Sequence, residues 1–333
     1  SETLSIGIPA AEDSCGDWPV MLRDSSVVIV NNFDRVSGPA WFDSPQYAGF
    51  DNSLDSGVPY IRDISYIGEM YQIRRDMPWT DDDNPGFGAS YSDCAGKAVA
   101  GNTFDYPYVH GKAVMKAGYP FYSVSADAFE NDPALSKAAW SADIICGKQV
   151  TTMIGRGAVP DRYSIFPIRM QEAISGFTES GGNILISGAN IGTDVWDRVF
   201  PVRCDSTFRA SSVEFIQKTL GYRWVCDNGS KSAQISPVPE YLSGFRMGGG
   251  TRSMSVANKP NPRIYSVETP DGLAPACDSA KAFLWYTDSR IPAGVCFDAG
   301  GYKAVSLGFP IETVEQPEAI YDIISSSLKY FTL

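Results

Sequence analysis

The chain contains one histidine, His110. Imidazole is the side chain best suited to move protons near neutral pH, so acid–base chemistry that needs one must use this residue. The run Asn102-Thr-Phe-Asp105-Tyr106-Pro-Tyr108-Val-His110 surrounds it with suitable partners. His110, Tyr106 or Tyr108 could act as a base, with Asp105 orienting it. A histidine near a helix start, held by local groups, is the plainer reading. A second set of candidates lies in Ser187-Gly-Ala-Asn190-Ile-Gly-Thr-Asp194. This string reads as a buried strand turning through glycines into a helix, and ligands of parallel α/β sheets bind at such strand ends. Asn190 and Asp194 are candidate ligand contacts there. So are Asp34 and Asn102 after two earlier strands, and Glu312 after a late one. Arg74, with Arg75, Lys148 and Arg156, could neutralise a substrate carboxylate or simply be a surface charge.

The elements that must position these groups follow from periodicity. Met170, Ala173, Ile174 and Phe177 recur at helical spacing, so Pro167–Glu179 is expected as an amphipathic helix stopped by Gly181-Gly182. Apolar runs at Val27–Val30, Ala98–Gly101, Phe121–Ser125, Ala142–Cys146 and Asn183–Ser187 read as five buried strands of a parallel sheet. A helix is expected from His110 to Ala117, and another from an N-cap at Asp132-Pro133 through Trp140. Ser211-x-x-Glu214 reads as a capping box for a helix that Gly221 stops. From Tyr222 short strands alternate with Pro and Gly. Ala282–Thr287, Ile291–Phe297 and Lys303–Phe309 form a meander, and Pro317 opens the last helix. The expectation is an α/β fold: a mainly parallel sheet flanked by helices. A long aromatic-rich insertion at about 38–96 and a β-rich antiparallel annex at about 222–290 elaborate it. Residues 1–23 read as a lead-in or the end of a preceding module, and 24–333 as a single domain.

Composition excludes several classes. Hydrophobic residues make up 44% and charged residues 20%, as in ordinary globular proteins. The net charge of -12 argues against nucleic acid, whose capture needs clustered Lys and Arg. No apolar run approaches the roughly 18 residues of a membrane span. Seven cysteines without CxxC, beside one histidine, argue against zinc. Buried free thiols are expected, with Cys204–Cys226 the conceivable disulfide. Asp81-Asp-Asp-Asn-Pro85-Gly fails the EF-hand pattern at Pro85 and Ser92. Gly248-Gly-Gly250 lacks the lysine of a phosphate loop. No metal or other cofactor is expected.

Two matches carry a family resemblance. Asn190-Ile-Gly192 stands where class I glutamine amidotransferases have Cys-x-Gly, and Phe309-Pro310-Ile311-Glu312 where they have Phe-His-Pro-Glu. The chain resembles that flavodoxin-like fold with its chemistry removed: asparagine replaces the thiol nucleophile and proline the histidine, while Glu312 remains. Glutaminase activity is therefore not expected. Val58-Pro-Tyr60, Asp81–Ser90, Gly101–Pro107, Ser187–Asp194 and Leu307–Pro310 are also similar to secreted bacterial proteins labelled xanthan lyase or golvesin-domain proteins. That resemblance implies an exported, periplasmic or cell-surface protein, with preceding domains in a longer chain and an acidic polysaccharide or other glycan as partner. A polysaccharide lyase would require a base, an acid and a carboxylate neutraliser, roles that His110, Tyr106 and Arg74 could fill. The alternative is a non-catalytic amidotransferase-like module for binding or scaffolding.

Overall fold

The computed structural model describes residues 6–7, 26–33, 40–43, 45, 47–51, 73–74, 106–132, 138–154, 159–162, 164–197, 206–238, 252–258 and 267–333. The chain divides into two compact units. One comprises Ser1–Asp34, Tyr106–Val256 and Glu268–Leu333; the other comprises Arg35–Asp105 and Ala257–Val267.

The first unit is mixed α/β, built on a ten-stranded sheet. Its strands in chain order are β1 (Ile6–Gly7), β2 (Val27–Asn31), β3 (Phe121–Ser125), β4 (Ser141–Gly147), β5 (Asn183–Gly188), β6 (Gln234–Pro237), β7 (Met254–Ser255), β8 (Ala280–Tyr286), β9 (Pro292–Asp298) and β10 (Lys303–Leu307). Their spatial order is β1-β3-β2-β4-β5-β10-β9-β8-β6-β7. The five central strands β3, β2, β4, β5 and β10 are parallel. Counted among themselves they lie 2-1-3-4-5, the order of flavodoxin-like sheets, with the topological switch point between β2 and β4. The meander β8-β9-β10 continues the same sheet antiparallel, so these strands extend the parallel centre.

Burial on both faces explains why the central strands are mostly apolar. Every residue of β4 and β5 is buried. On one face Val28, Val30, Ile144, Ile184 and Ile186 pack with Met170, Ile174 and Phe177 of helix Ile168–Glu179. Two helices serve the site below. Helix α1 (Tyr106–Lys116) buries His110, Ala113 and Val114. Helix α2 (Pro317–Phe331) buries Ile323, Ile324 and Leu328 and carries proline in its first turn. These two helices pack on each other.

Several expectations need correction. Asp132 closes the helix Ala126–Asn131, which Ser125 caps through its hydroxyl. Most of the helix expected after Asp132-Pro133 lies outside the described residues, and its expected end, Ala138–Trp140, is not helical. Ser211 is no N-cap, because the helix already runs from Ser206. It continues as a π turn, Ile216–Leu220, to Gly221 at φ 73°. That left-handed conformation requires glycine, as the expected stop does. Cys226 is a free thiol, and Cys204, its conceivable partner, lies outside the described residues. The expected strand Ala98–Gly101 lies outside the described residues.

The second unit contains a three-stranded antiparallel sheet, Ala40–Asp43, Tyr47–Asp51 and Ile73–Arg74. Among the described residues no helix is long and apolar enough to cross a membrane.

Candidate functional site

His110 sits on the inner face of α1 with no exposed surface. Its Nδ1 lies 2.8 Å from Asp143 Oδ2 and its Nε2 3.4 Å from Glu312 Oε2. Asp143 comes from the middle of β4. Glu312 comes from the 3₁₀ turn Ile311–Thr313 between β10 and α2. All three side chains are buried. Burial pushes the imidazole pKa down, but the charges and hydrogen bonds of Asp143 and Glu312 outweigh it and raise the value to about 10. At neutral pH the ring is therefore an imidazolium. It cannot accept a substrate proton, and no substrate reaches it without opening the core. Asp143 escaped the sequence reading. Its signal was present: one carboxylate interrupts the apolar run of β4, and a buried charge needs a partner.

The turn after β5 is the second centre. Asn190 does not face the His110 cluster. Its Nδ2 donates to the carbonyls of Lys148 and Gln149, each at 3.2 Å, tying the end of β5 to the end of β4. Beyond it, the short helix Thr193–Trp196 has its first amides occupied from within. Asp271 Oδ2 accepts from Gly192 N at 2.6 Å and Thr193 N at 3.1 Å. Asp271 Oδ1 accepts from Thr193 Oγ1 at 2.5 Å and from the Trp224 indole at 3.2 Å. Asp271 is buried. Burial raises its pKa to about 7, against the lowering effect of the Thr193 and Gly192 donors. Sequence reading passed over Asp271 because Thr269-Pro-Asp-Gly272 reads as an ordinary turn.

Asp194 is likewise a structural pin. Oδ1 accepts from Thr151 N at 2.6 Å, and Oδ2 from Ile165 N at 3.0 Å. At the switch point Asn32 Nδ2 donates to Ile165 O at 3.1 Å and approaches Cys146 Sγ at 3.7 Å. Burial pushes the Cys146 thiol far above its usual range, so it stays protonated and unreactive. Tyr106 is buried and stacks on Phe33, centroids 5.7 Å apart.

The structure thus brings His110 and Glu312 together and adds Asp143. Asn190 and Asp194 form separate hydrogen-bonded sets. Arg74 belongs to a strand of the other unit. Asp34, Asn102 and Asp105 lie outside the described residues. Among the described residues no group of three or more His, Cys, Asp or Glu side chains is arranged to hold a metal ion.

No family model matches the chain, and no curated protein does. Solved structures with a similar fold include the exo-β-1,4-mannosidase Op5Man5 from Opitutaceae bacterium strain TAV5, at 11% identity and TM-score 0.37. That match covers 67% of this chain but 30% of the mannosidase, so the chain spans under a third of that enzyme. A cytoplasmic protein, STM1381 from Salmonella typhimurium LT2, matches at 7% identity and TM-score 0.45, over 91% of this chain and 97% of its own. A glutamine amidotransferase from Thermotoga maritima matches at 10% identity and TM-score 0.36, over 66% of this chain and 88% of its own. Likenesses this distant carry no argument about activity, and the golvesin-domain label finds no counterpart among them.

Proposed function

We propose that this chain works by binding, as a non-catalytic module on an amidotransferase-like frame. One observation carries the reading: the Asp271 carboxylate fills the amide nest after the β5 turn. In acyl transfer at a strand-to-helix elbow, backbone N–H groups at the turn receive the oxyanion. Here those of Gly192 and Thr193 already donate to an internal anion. The residue at the nucleophile position, Asn190, spends its amide on two carbonyls and has no acidic proton to lose. His110 is sealed and charged, which removes the imidazole from the bases that lyase chemistry could use.

A glycan is the partner class that the sequence resemblance implies, and an exported or cell-surface setting goes with it. We carry both as part of the proposal. The net charge of -12 favours neutral glycans over polyuronates unless a local basic groove offsets it. The test is to incubate the folded chain with uronate-containing and neutral polysaccharides. Ultraviolet absorbance reports any unsaturated sugar, ammonia release reports glutamine hydrolysis, and calorimetry reports binding. The expected result is saturable glycan binding with neither product. Formation of unsaturated sugar by the wild-type chain would overturn the non-catalytic reading. Absence of binding to every glycan would overturn the partner class.

A further inference from the structure

We propose that the Asp143–His110–Glu312 cluster keeps one proton locked in the core and uses it as a latch that holds α1 against β4 and the turn before α2.

The geometry sets the proton count. Both ring nitrogens face carboxylate oxygens, at 2.8 and 3.4 Å. A neutral imidazole carries one N–H, so one of those contacts would set a lone pair against an anion. With both carboxylates ionised, the ring satisfies both contacts only when both nitrogens are protonated. Asp143 reinforces the requirement. Its Oδ1 is buried without a hydrogen-bond partner, so the anion depends on the N–H that reaches Oδ2. The three groups come from three elements: α1, a central strand and the turn that leads into α2. Withdrawing the proton would leave two carboxylates facing a neutral ring in a place that water does not reach, and α1 is the member able to move away.

Other ionisable groups lie on the described elements packed around α1. Beside the two carboxylates, α1 packs on β1, β2, β3 and α2. β1 and β2 carry no ionisable side chain. β3 brings Tyr122, whose pKa burial raises to about 12. α2 brings Tyr321, whose ring carries Lys116 of α1 above it at 4.4 Å. Glu318, Asp322, Lys329 and Tyr330 of α2 and Tyr106, Tyr108 and Lys112 of α1 are the other ionisable groups on these two helices. Behind β4, the Cys146 thiol feels both carboxylates and is itself held protonated.

Because the chain has a single histidine, nuclear magnetic resonance of the full-length protein with ¹⁵N-labelled histidine reads this ring alone. The expected spectrum at pH 8 shows both ring nitrogens protonated, with no titration between pH 5 and 9. A singly protonated ring at pH 8, or a midpoint near the ordinary value of about 6.5, overturns the proposal. Glu312→Gln tests the latch. At pH 8 its α1 amides, Tyr106–Lys116, should exchange hydrogen at least about tenfold faster than in the wild type, while the β5 amides keep their rate. Equal α1 exchange in the two proteins overturns the latching role. If the variant does not fold, the wild-type spectrum still decides the proton count.

Discussion

Asp271 and Thr193, 78 residues apart, are joined twice: the carboxylate accepts from both the backbone N–H and the side-chain hydroxyl of the threonine. That pair closes the turn on which an acyl-transfer site would be built. It ties the loop before Gly272–Pro275 to the end of β5. Substituting Asp271→Ala would strand two backbone donors and a hydroxyl in the interior, while the Trp224 indole N–H would keep Thr193 Oγ1 at 3.0 Å. A buried donor left without a partner costs about 1–3 kcal/mol. The variant should lose at least about 2 kcal/mol in urea unfolding followed by circular dichroism. Asp271→Asn keeps one acceptor oxygen and should lose less.

The same residue sets a pH dependence. Its folded pKa is raised to about 7 by burial, above the unfolded value of about 3.9. A group shifted upward gives stability that is fully present below its unfolded pKa and lost as pH rises through its folded one. The Asp271 contribution should therefore decline between about pH 4 and 7. Asp271→Asn should flatten the stability profile in that window, relative to the wild type, when unfolding is measured at each pH.

His110 acts in the next window. Its folded pKa of about 10 lies above the unfolded value of 6.5, so its contribution is complete below about pH 6.5 and falls progressively towards pH 10. Unfolding free energies measured at intervals from pH 6 to 10 should decline. In Glu312→Gln the slope should be shallower, because one of the two charges that hold the proton is gone. A wild-type profile flat across this range would contradict the ion pairing.

The fold was legible in the sequence where burial alone shapes an element. Val27–Val30 is an uninterrupted apolar run and Phe121–Ser125 and Asn183–Ser187 are largely apolar ones, and each became a central strand. The site was half legible. His110 drew notice as the chain's one imidazole, and Glu312 through the string that follows β10. The contact between them spans 202 residues, and no local spacing encodes such a distance. Asp143 could have been found by asking what neutralises a carboxylate inside an apolar strand. Asp271 could not, since four residues of turn chemistry look the same whether their carboxylate meets water or a helix terminus. The misread helix start has the same root. Ser211-x-x-Glu214 fits a capping pattern locally, but the chain had already begun that helix at Ser206.

Gly308 offers a steric test of how tightly the Asp271 loop is seated. A Cβ built on this glycine would lie 2.2 Å from the Asp271 carbonyl oxygen, and Gly308 O also accepts from Asp271 N at 2.8 Å. Backbone rather than a flexible side chain opposes the added atom. Overpacking of this kind costs about 1–3 kcal/mol. Gly308→Ala should lower the thermal midpoint, and it should perturb the Trp224 environment in near-ultraviolet circular dichroism, because the displaced Asp271 holds the indole.

Restoring a thiol at the β5 turn tests the non-catalytic reading most directly. Asn190→Cys places the expected nucleophile at the family position, yet three obstacles remain. The only imidazole, His110, is committed to Asp143 and Glu312 and carries a positive charge. The Gly192 and Thr193 amides that could receive an oxyanion are taken by Asp271. The substitution also deletes the two hydrogen bonds from Asn190 to Lys148 and Gln149, loosening the turn that would have to hold the sulfur. A nucleophile without its base or its oxyanion donors has lost the groups that normally supply most of the rate. Ammonia release from glutamine by Asn190→Cys should therefore stay at the level of the wild-type chain. Release well above that level would show that the turn is a dormant catalytic elbow rather than a filled one.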